Sequence, residues 1–221
     1  HVTLAAECGR QGSAHVKDGT VYVIDDDEAM RHSLEWLLTP LGLAVRTFQS
    51  ADAFLGAVDL DAVACVVTDV RMPGMSGLEL HEELTRRGAL QPVIVITGHG
   101  DVPMAVRAMR AGAIDFLEKP LNNQLLIERV NEALRICRLR RQEAEQTGAI
   151  RARIATLTAR EREVANAVAA GKQNKTIAFE LGISLKTVEI HRHNAMVKLG
   201  ATTAADLSRM LTLAGGLGGN P

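Results

Sequence analysis

The stretch VACVVTDVRMPGMSGLEL, residues 63–80, decides the fold. Val63 to Val67 form a short apolar run rich in β-branched residues, which reads as a strand covered on both faces. Asp69 follows almost at once, and Pro73, Gly74 and Gly77 then turn the chain into a loop. A carboxylate is thus delivered at the carboxyl end of a buried strand, where ligands bind in open parallel sheets. Asp69 is the candidate acceptor of a phosphoryl group.

The same pattern repeats on either side. Strands are expected at Thr20 to Ile24, Ala44 to Phe48, Val63 to Thr68, Pro92 to Thr97 and Ile114 to Leu117. Helical periodicity intervenes at Glu28 to Leu38, Ala51 to Val58, Leu78 to Arg87, Val102 to Ala111 and from Gln124 onward. Parallel neighbours need crossover helices, and those crossovers are right-handed, so the alternation predicts an α/β, doubly wound, five-stranded parallel sheet. The last helix is expected to run through RVNEALRICRLRRQEAEQ as a charged, amphipathic stalk toward residue 146.

After Arg151 only helical patterns remain, at Ala159 to Ala169, Asn174 to Leu181, Leu185 to Leu199 and Thr203 to Leu213. Thr158 and Ser184 suit helix caps and Gly171 and Gly182 suit helix ends, which predicts a small all-α four-helix unit. The expected organisation is an extension at 1–18, an α/β domain at 19–134, a helical linker at 135–150, a helix-turn-helix domain at 151–215 and a flexible tail at 216–221.

Composition agrees with two globular domains: 47% of the 221 residues are hydrophobic and 23% charged. The net charge of −1 hides an asymmetry, since residues 1–145 carry 15 basic against 21 acidic side chains and residues 146–221 carry 10 against 5. Only the rear part is expected to seek a polyanion, and nucleic acid is the obvious one. No apolar stretch is long enough for a membrane span, which favours a cytoplasmic protein without a membrane partner. Cys8, Cys65 and Cys137 lack CxxC spacing, so a disulfide framework or zinc site is not expected.

Five distant residues fall where the strands should end: Asp25, Asp26, Asp69, Thr97 and Lys119. A phosphorylated carboxylate needs Mg²⁺ to neutralise the phosphoryl oxygens and hard oxygen ligands to hold that ion. Asp26 and Asp69 are expected to coordinate directly and Asp25 mainly through water, with the backbone carbonyl of Arg71 completing the protein's share. The Thr97 hydroxyl and the Lys119 ammonium are placed to meet the phosphoryl oxygens. The spacings of 43, 28 and 22 residues from Asp26 through Asp69 and Thr97 to Lys119 match one residue group per strand end.

These residues carry a family resemblance. Residues 20–140, through IDDDE, TDVRMPGMSG, ITGHGDVPMAVRAMRAGA and DFLEKP, resemble the CheY-like receiver domain of bacterial two-component response regulators, and especially the FixJ branch. The segment LTAREREVANAVAAGKQNKTIAFELGISLKTVEIHRHNAMVKLG is similar to the LuxR/NarL/FixJ helix-turn-helix. The resemblance implies a transcription regulator, not an enzyme, phosphorylated at Asp69 by a sensor histidine kinase. It implies Asp25 and Asp26 as the metal pair, Thr97, Phe116 and Lys119 as switch residues, and a cis Lys119–Pro120 bond. It further implies a phosphorylation-dependent homodimer through the face carrying Val106, Arg110 and Asp115, binding of double-stranded promoter DNA, and activation through RNA polymerase.

The basic end has a physical sense of its own. Ile177, Ala178 and Leu181 should pack the first helix of the motif, with Val188, Met196 and Leu199 on the buried face of the second. Glu189, Ile190, Arg192 and His193 then face a major groove, while Asn174, Lys175, Lys186, Thr187 and His191 are placed to hold phosphates. Glu189 is informative because an acid in the groove repels phosphate yet can accept from cytosine N4. A rival reading is a Mg²⁺-dependent phosphohydrolase of the haloacid dehalogenase type with Asp25 as nucleophile. That family expects Thr or Val where this chain has Ala29, and it leaves the helix-turn-helix unexplained.

Overall fold

The computed structural model describes residues 19–98 and 102–215. The expected extension at 1–18 and tail at 216–221 lie outside them. The chain divides into two units, at Arg140 and Arg141.

The first unit is a parallel sheet with helices on both faces. Its strands are β1 (Thr20–Ile24), β2 (Ala44–Phe48), β3 (Ala64–Asp69), β4 (Val93–Thr97) and β5 (Asp115–Glu118). They stand in the order β2-β1-β3-β4-β5, all pairs parallel. The helices are α1 (Glu28–Leu38), α2 (Ala51–Leu55), α3 (Gly77–Arg86), α4 (Val102–Arg110) and α5 (Asn123–Ala155). The period-2 alternation of strand side chains divides the apolar residues between two cores. Tyr22, Ile24, Val66 and Val95 pack with Phe54, Leu80 and Leu84 on one face. Val21, Val23, Val67, Ile94 and Ile96 pack with Leu34, Leu38, Leu126, Val130 and Leu134 on the other. Every residue of β3 and β4 is buried, which is why those two strands read as unbroken apolar runs.

Several boundaries move by a residue or more. β3 reaches Asp69 itself, because Val70 continues the ladder by donating to Ile96 O. α2 stops at Leu55 instead of Val58, with Gly56 closing it onto Asp52 O. The largest difference is α5, expected to end near residue 146 and found to run to Ala155 through Gly148. A single helix-interior glycine costs only about 1 kcal/mol and the surrounding Ala, Arg, Gln and Glu favour helix, so the linker at 135–150 is helical as expected and the helix continues past it to Ala155. Cys65 and Cys137 are free and buried, as packing residues should be, and Cys8 lies outside the described residues.

The second unit holds α6 (Ala159–Ala169), α7 (Asn174–Leu181), α8 (Leu185–Leu199) and α9 (Ala204–Leu213) around Val164, Val168, Ile177, Val188, Ala195, Leu199, Leu207 and Leu211. Thr158 with Glu161 and Thr203 with Asp206 form capping boxes that start α6 and α9. Glu161 also ties two helices together: its buried carboxylate accepts from Lys198 Nζ at 2.6 Å and from Thr158 N at 2.8 Å. Gly182, at φ 64°, ends α7 in the left-handed conformation that a side chain would strain, and Ser184 caps α8 by accepting from Thr187 N. On α8 the buried stripe is Val188, Ala195 and Leu199, seven and four residues apart, while Met196 is only half-buried. One residue's step around a helix moves a side chain about 100° off such a stripe.

Candidate functional site

At the carboxyl ends of β1, β3 and β5 the chain assembles three acids and a lysine. Ligand oxygens of Asp25, Asp26 and Asp69 lie within 4.8 Å of one another. Asp25 is fully buried, Asp69 nearly so, and Asp26 is exposed. Lys119 Nζ bridges Asp25 Oδ2 and Asp69 Oδ2, at 2.9 Å to each. The rest of the cage is backbone: Asp27 N donates to Asp25 Oδ1 at 2.9 Å, and Arg71 N donates to Asp69 Oδ1 at 3.3 Å. Asp27 itself serves as the N-cap of α1, accepting from Ala29 N, so the third acid of the run has a local structural task.

The electrostatics follow from crowding. Burial pushes the Asp25 carboxyl above the ordinary range, and the neighbouring Asp69 adds to that push against the pull of Lys119 and the Asp27 amide. Burial alone would draw the Lys119 ammonium down, but its bonds to Asp69 and Asp25 outweigh that and hold it above the usual lysine value. Three carboxylates sharing one lysine leave an excess of negative charge, and all of the donors are hard oxygens. That set suits a small divalent cation of the Mg²⁺ kind.

Thr97, fully buried, ends β4, and Lys119 N donates to its carbonyl at 2.7 Å, so the two strand ends that carry the hydroxyl and the ammonium are tied together. Phe116 in β5 is partly buried against the core face that also holds Met104 of α4. The Lys119–Pro120 bond is cis. Val106 and Arg110 are exposed on α4. Asp115 is engaged within the chain, as its carboxylate accepts from Arg129 Nε of α5 at 2.7 Å and from Phe116 N at 2.8 Å.

In the second unit, Lys175, Lys186, Glu189, Ile190 and His193 are exposed on α7 and α8, and His191 is half-buried. Two expected DNA contacts have partners in the fold. Arg192 Nη1 donates to Asn174 Oδ1 at 2.9 Å, joining α8 to the first residue of α7, and the Thr187 hydroxyl is 2.8 Å from that of the cap residue Ser184. Sequence reasoning placed Arg192 outward because it scored one helix alone, whereas a half-buried guanidinium between helices is a tertiary property.

Two residues near the acids were not anticipated. Gly77, the first residue of α3, lies against the end of β3: a Cβ built there would sit 2.1 Å from Asp69 O and 3.0 Å from Thr68 Oγ1. Arg31 of α1 reaches back to the loop after β1, Nη1 donating to Asp25 O at 2.7 Å and Asp26 O at 3.1 Å. The sequence placed Gly77 only in the turn after the strand, whereas it is the first residue of α3 and packs on Asp69; Arg31 left no hint.

Family models match both units: the response regulator receiver domain over residues 21–131 and the bacterial regulatory proteins of the luxR family over residues 155–211. The chain belongs to the response-regulator family. The transcriptional regulatory protein FixJ of Azorhizobium caulinodans is 52% identical over 196 residues, covering 88% of this chain and 92% of that protein. FixJ of Rhizobium meliloti is 48% identical over 201 residues, covering 91% and 98%. Among solved structures, the response regulator StyR aligns with a TM-score of 0.78 at 43% identity, over 88% of this chain and 98% of that one. Full-length FixJ from B. japonicum aligns with a TM-score of 0.53 at 42% identity, over 89% and 97%. This response regulator therefore pairs a receiver unit with a LuxR-type DNA-binding unit, and its relatives are transcriptional regulators. No helix among the described residues is long and apolar enough to cross a membrane.

Proposed function

We propose that Asp69 accepts a phosphoryl group from a sensor histidine kinase, with Mg²⁺ held by Asp25, Asp26, Asp69 and the Arg71 backbone carbonyl, and that the modified receiver drives promoter binding. The observation that carries this reading is the Asp25–Lys119–Asp69 bridge at three strand ends, beside a third carboxylate. Lys119 stands between two acids now and, once Asp69 bears a phosphoryl group, remains the nearest ammonium to balance its added charge. Asp69 Oδ attacks phosphorus, and the phosphohistidine nitrogen of the kinase leaves with the bond electrons and is then protonated. The product is a mixed anhydride that water later cleaves, so the chain acts as a timed signal and not as a turnover enzyme.

Movement of the buried Thr97 hydroxyl to a phosphoryl oxygen would open space for Phe116 and remodel the α4 and β5 face. Two receivers then pair through Val106, Arg110 and Asp115. For Asp115 this requires that its Arg129 partner be shared or exchanged. Pairing presents two α8 helices to half-sites about one helical turn apart. There Lys175, Lys186 and His191 meet phosphates with Asn174 and Thr187, and Glu189, Ile190, Arg192 and His193 read base edges. Recruitment of RNA polymerase at the bound promoter, in the cytoplasm, completes the reading.

The test is phosphoryl incorporation, read by intact mass after incubation with acetyl phosphate and Mg²⁺. Wild-type protein should gain one phosphoryl group and Asp69→Asn none, both retaining the same circular dichroism. Undiminished incorporation into Asp69→Asn removes the assignment. Rapid hydrolysis of a phosphate monoester that depends on Asp25 would favour the phosphohydrolase reading instead.

A further inference from the structure

The three carboxylates of the acidic cage are not held alike. Asp25 is fixed on both oxygens, by Lys119 Nζ and by Asp27 N, and Asp69 likewise by Lys119 Nζ and Arg71 N. Among the described residues nothing hydrogen-bonds the Asp26 carboxylate, which is exposed, so its direction comes from its backbone alone. That backbone is bracketed. The carbonyl of Asp25 belongs to the peptide unit before the Asp26 Cα and the carbonyl of Asp26 to the unit after it. Both accept from the same atom, Arg31 Nη1, at 2.7 and 3.1 Å. Two peptide planes tied to one guanidinium nitrogen limit rotation about both dihedrals between them, and with them the Cα–Cβ direction.

Resting on the cation-dependent reading above, we infer that Arg31 is the positioning residue for Asp26: it aims that carboxylate into the cage before a divalent cation arrives. Asp26 is the one cage ligand without a side-chain anchor, and Arg31 supplies the anchor through the main chain. The clamp has a second consequence. Carbonyls committed to Arg31 are kept from turning toward the cation, so the carboxylates remain the ligands offered by this loop. The positive charge of Arg31 works in the opposite direction by repelling a cation, but it is partly exposed and screened by four consecutive acids, Asp25 to Glu28, so orientation outweighs repulsion. Removing groups that orient metal ligands commonly weakens binding by about ten- to a hundredfold.

The experiment is a double-mutant cycle on the full chain, with Mn²⁺ as the probe and affinity read from the free-ion electron paramagnetic resonance signal. Arg31→Ala should weaken Mn²⁺ binding about tenfold, Arg31→Lys should restore part of the loss because its ammonium can still donate to these carbonyls but reaches less far, and Asp26→Ala should weaken binding by itself. In the Asp26→Ala background, Arg31→Ala should cost nothing further, because no carboxylate is left to aim. In metal-free protein, amide hydrogen exchange at Asp26 and Asp27 should quicken in Arg31→Ala. Affinity unchanged in Arg31→Ala, or losses that simply add in the double variant, would overturn the inference even if thermal stability falls. A wild-type protein that binds no Mn²⁺ would instead sink the cation-dependent reading itself, and this inference with it.

Discussion

Replacing Gly77 by alanine should damage the receiver at the point where its chemistry is placed. The added Cβ would lie 2.1 Å from Asp69 O and 2.9 Å from the Asp69 carbonyl carbon. Both are backbone atoms, so no side chain can swing aside, and α3 or the end of β3 must retreat by more than about 1 Å to reach ordinary contact distance. Retreat is opposed on both sides. Gly77 N donates to Val70 O at 3.1 Å, and Val70 N donates to Ile96 O at 2.9 Å, which ties α3, the loop and β4 together. Overpacking of this kind costs about 1–3 kcal/mol. The offsetting gain from alanine's helix preference is at most about 1 kcal/mol, and less at the first position of a helix. The net expectation is a loss of about 2 kcal/mol, which at a urea slope of about 2 kcal/mol per molar lowers the midpoint by about 1 M.

Function should suffer more than stability, since a misplacement of about 1 Å at a reacting group can cost about a hundredfold in rate. The assay is urea unfolding of the full chain, with hydrogen exchange reporting on the peptide that contains β3, alongside the rate of acetyl phosphate incorporation. A wild-type midpoint together with a wild-type phosphorylation rate would refute the steric argument. Loss of stability with an unchanged rate would show that α3 yields and Asp69 does not.

The raised pKa of Asp25 gives a pH dependence of definite sign. Its share of stability is held at acid pH, below its unfolded value, and is lost as pH rises through its raised folded value. A cation held by the deprotonated acid restores that loss, so the rise in melting temperature on adding Mg²⁺ should be larger at about pH 7 than at about pH 5; an equal or larger rise at the lower pH argues against Asp25 as a ligand. Gly148→Ala, inside α5 with nothing within 4 Å of the added methyl, should stabilise the chain by about 0.5–1 kcal/mol in denaturant titration, and a loss would show that the helix is not continuous there. Asn174→Ala frees the Arg192 guanidinium and should blur base discrimination more than it lowers overall affinity; a binding assay across promoter variants that finds uniform weakening would make Asn174 a phosphate contact only.

The order of strands and helices, the two-unit organisation and the acids at the strand ends were legible because they depend on local chemistry. A strand buried on both faces must be apolar throughout, as Ala64 to Val67 and Val93 to Ile96 are, and whatever polar residue follows it emerges at one edge of the sheet. Asp25, Asp69 and Lys119 could therefore be matched to one rim from sequence alone. Helix starts were legible where a cap marks them, as Thr158 and Ser184 do. The end of α5 was not, because no Pro or strong cap interrupts the run before Ala155.

What the amino-acid order determined by itself is thus which groups the fold delivers to the rim of the sheet: period-2 and period-3.6 patterns, caps and breakers act over a few residues and can be read in a line. What only the tertiary structure decided is how those groups are held. The bridge of Lys119 to two acids, the reach of Arg31 over the Asp26 backbone, the close approach of Gly77 to Asp69 and the pairing of Arg192 with Asn174 depend on distances between separate elements. Such distances follow from the packing of whole elements against one another, which no local periodicity encodes.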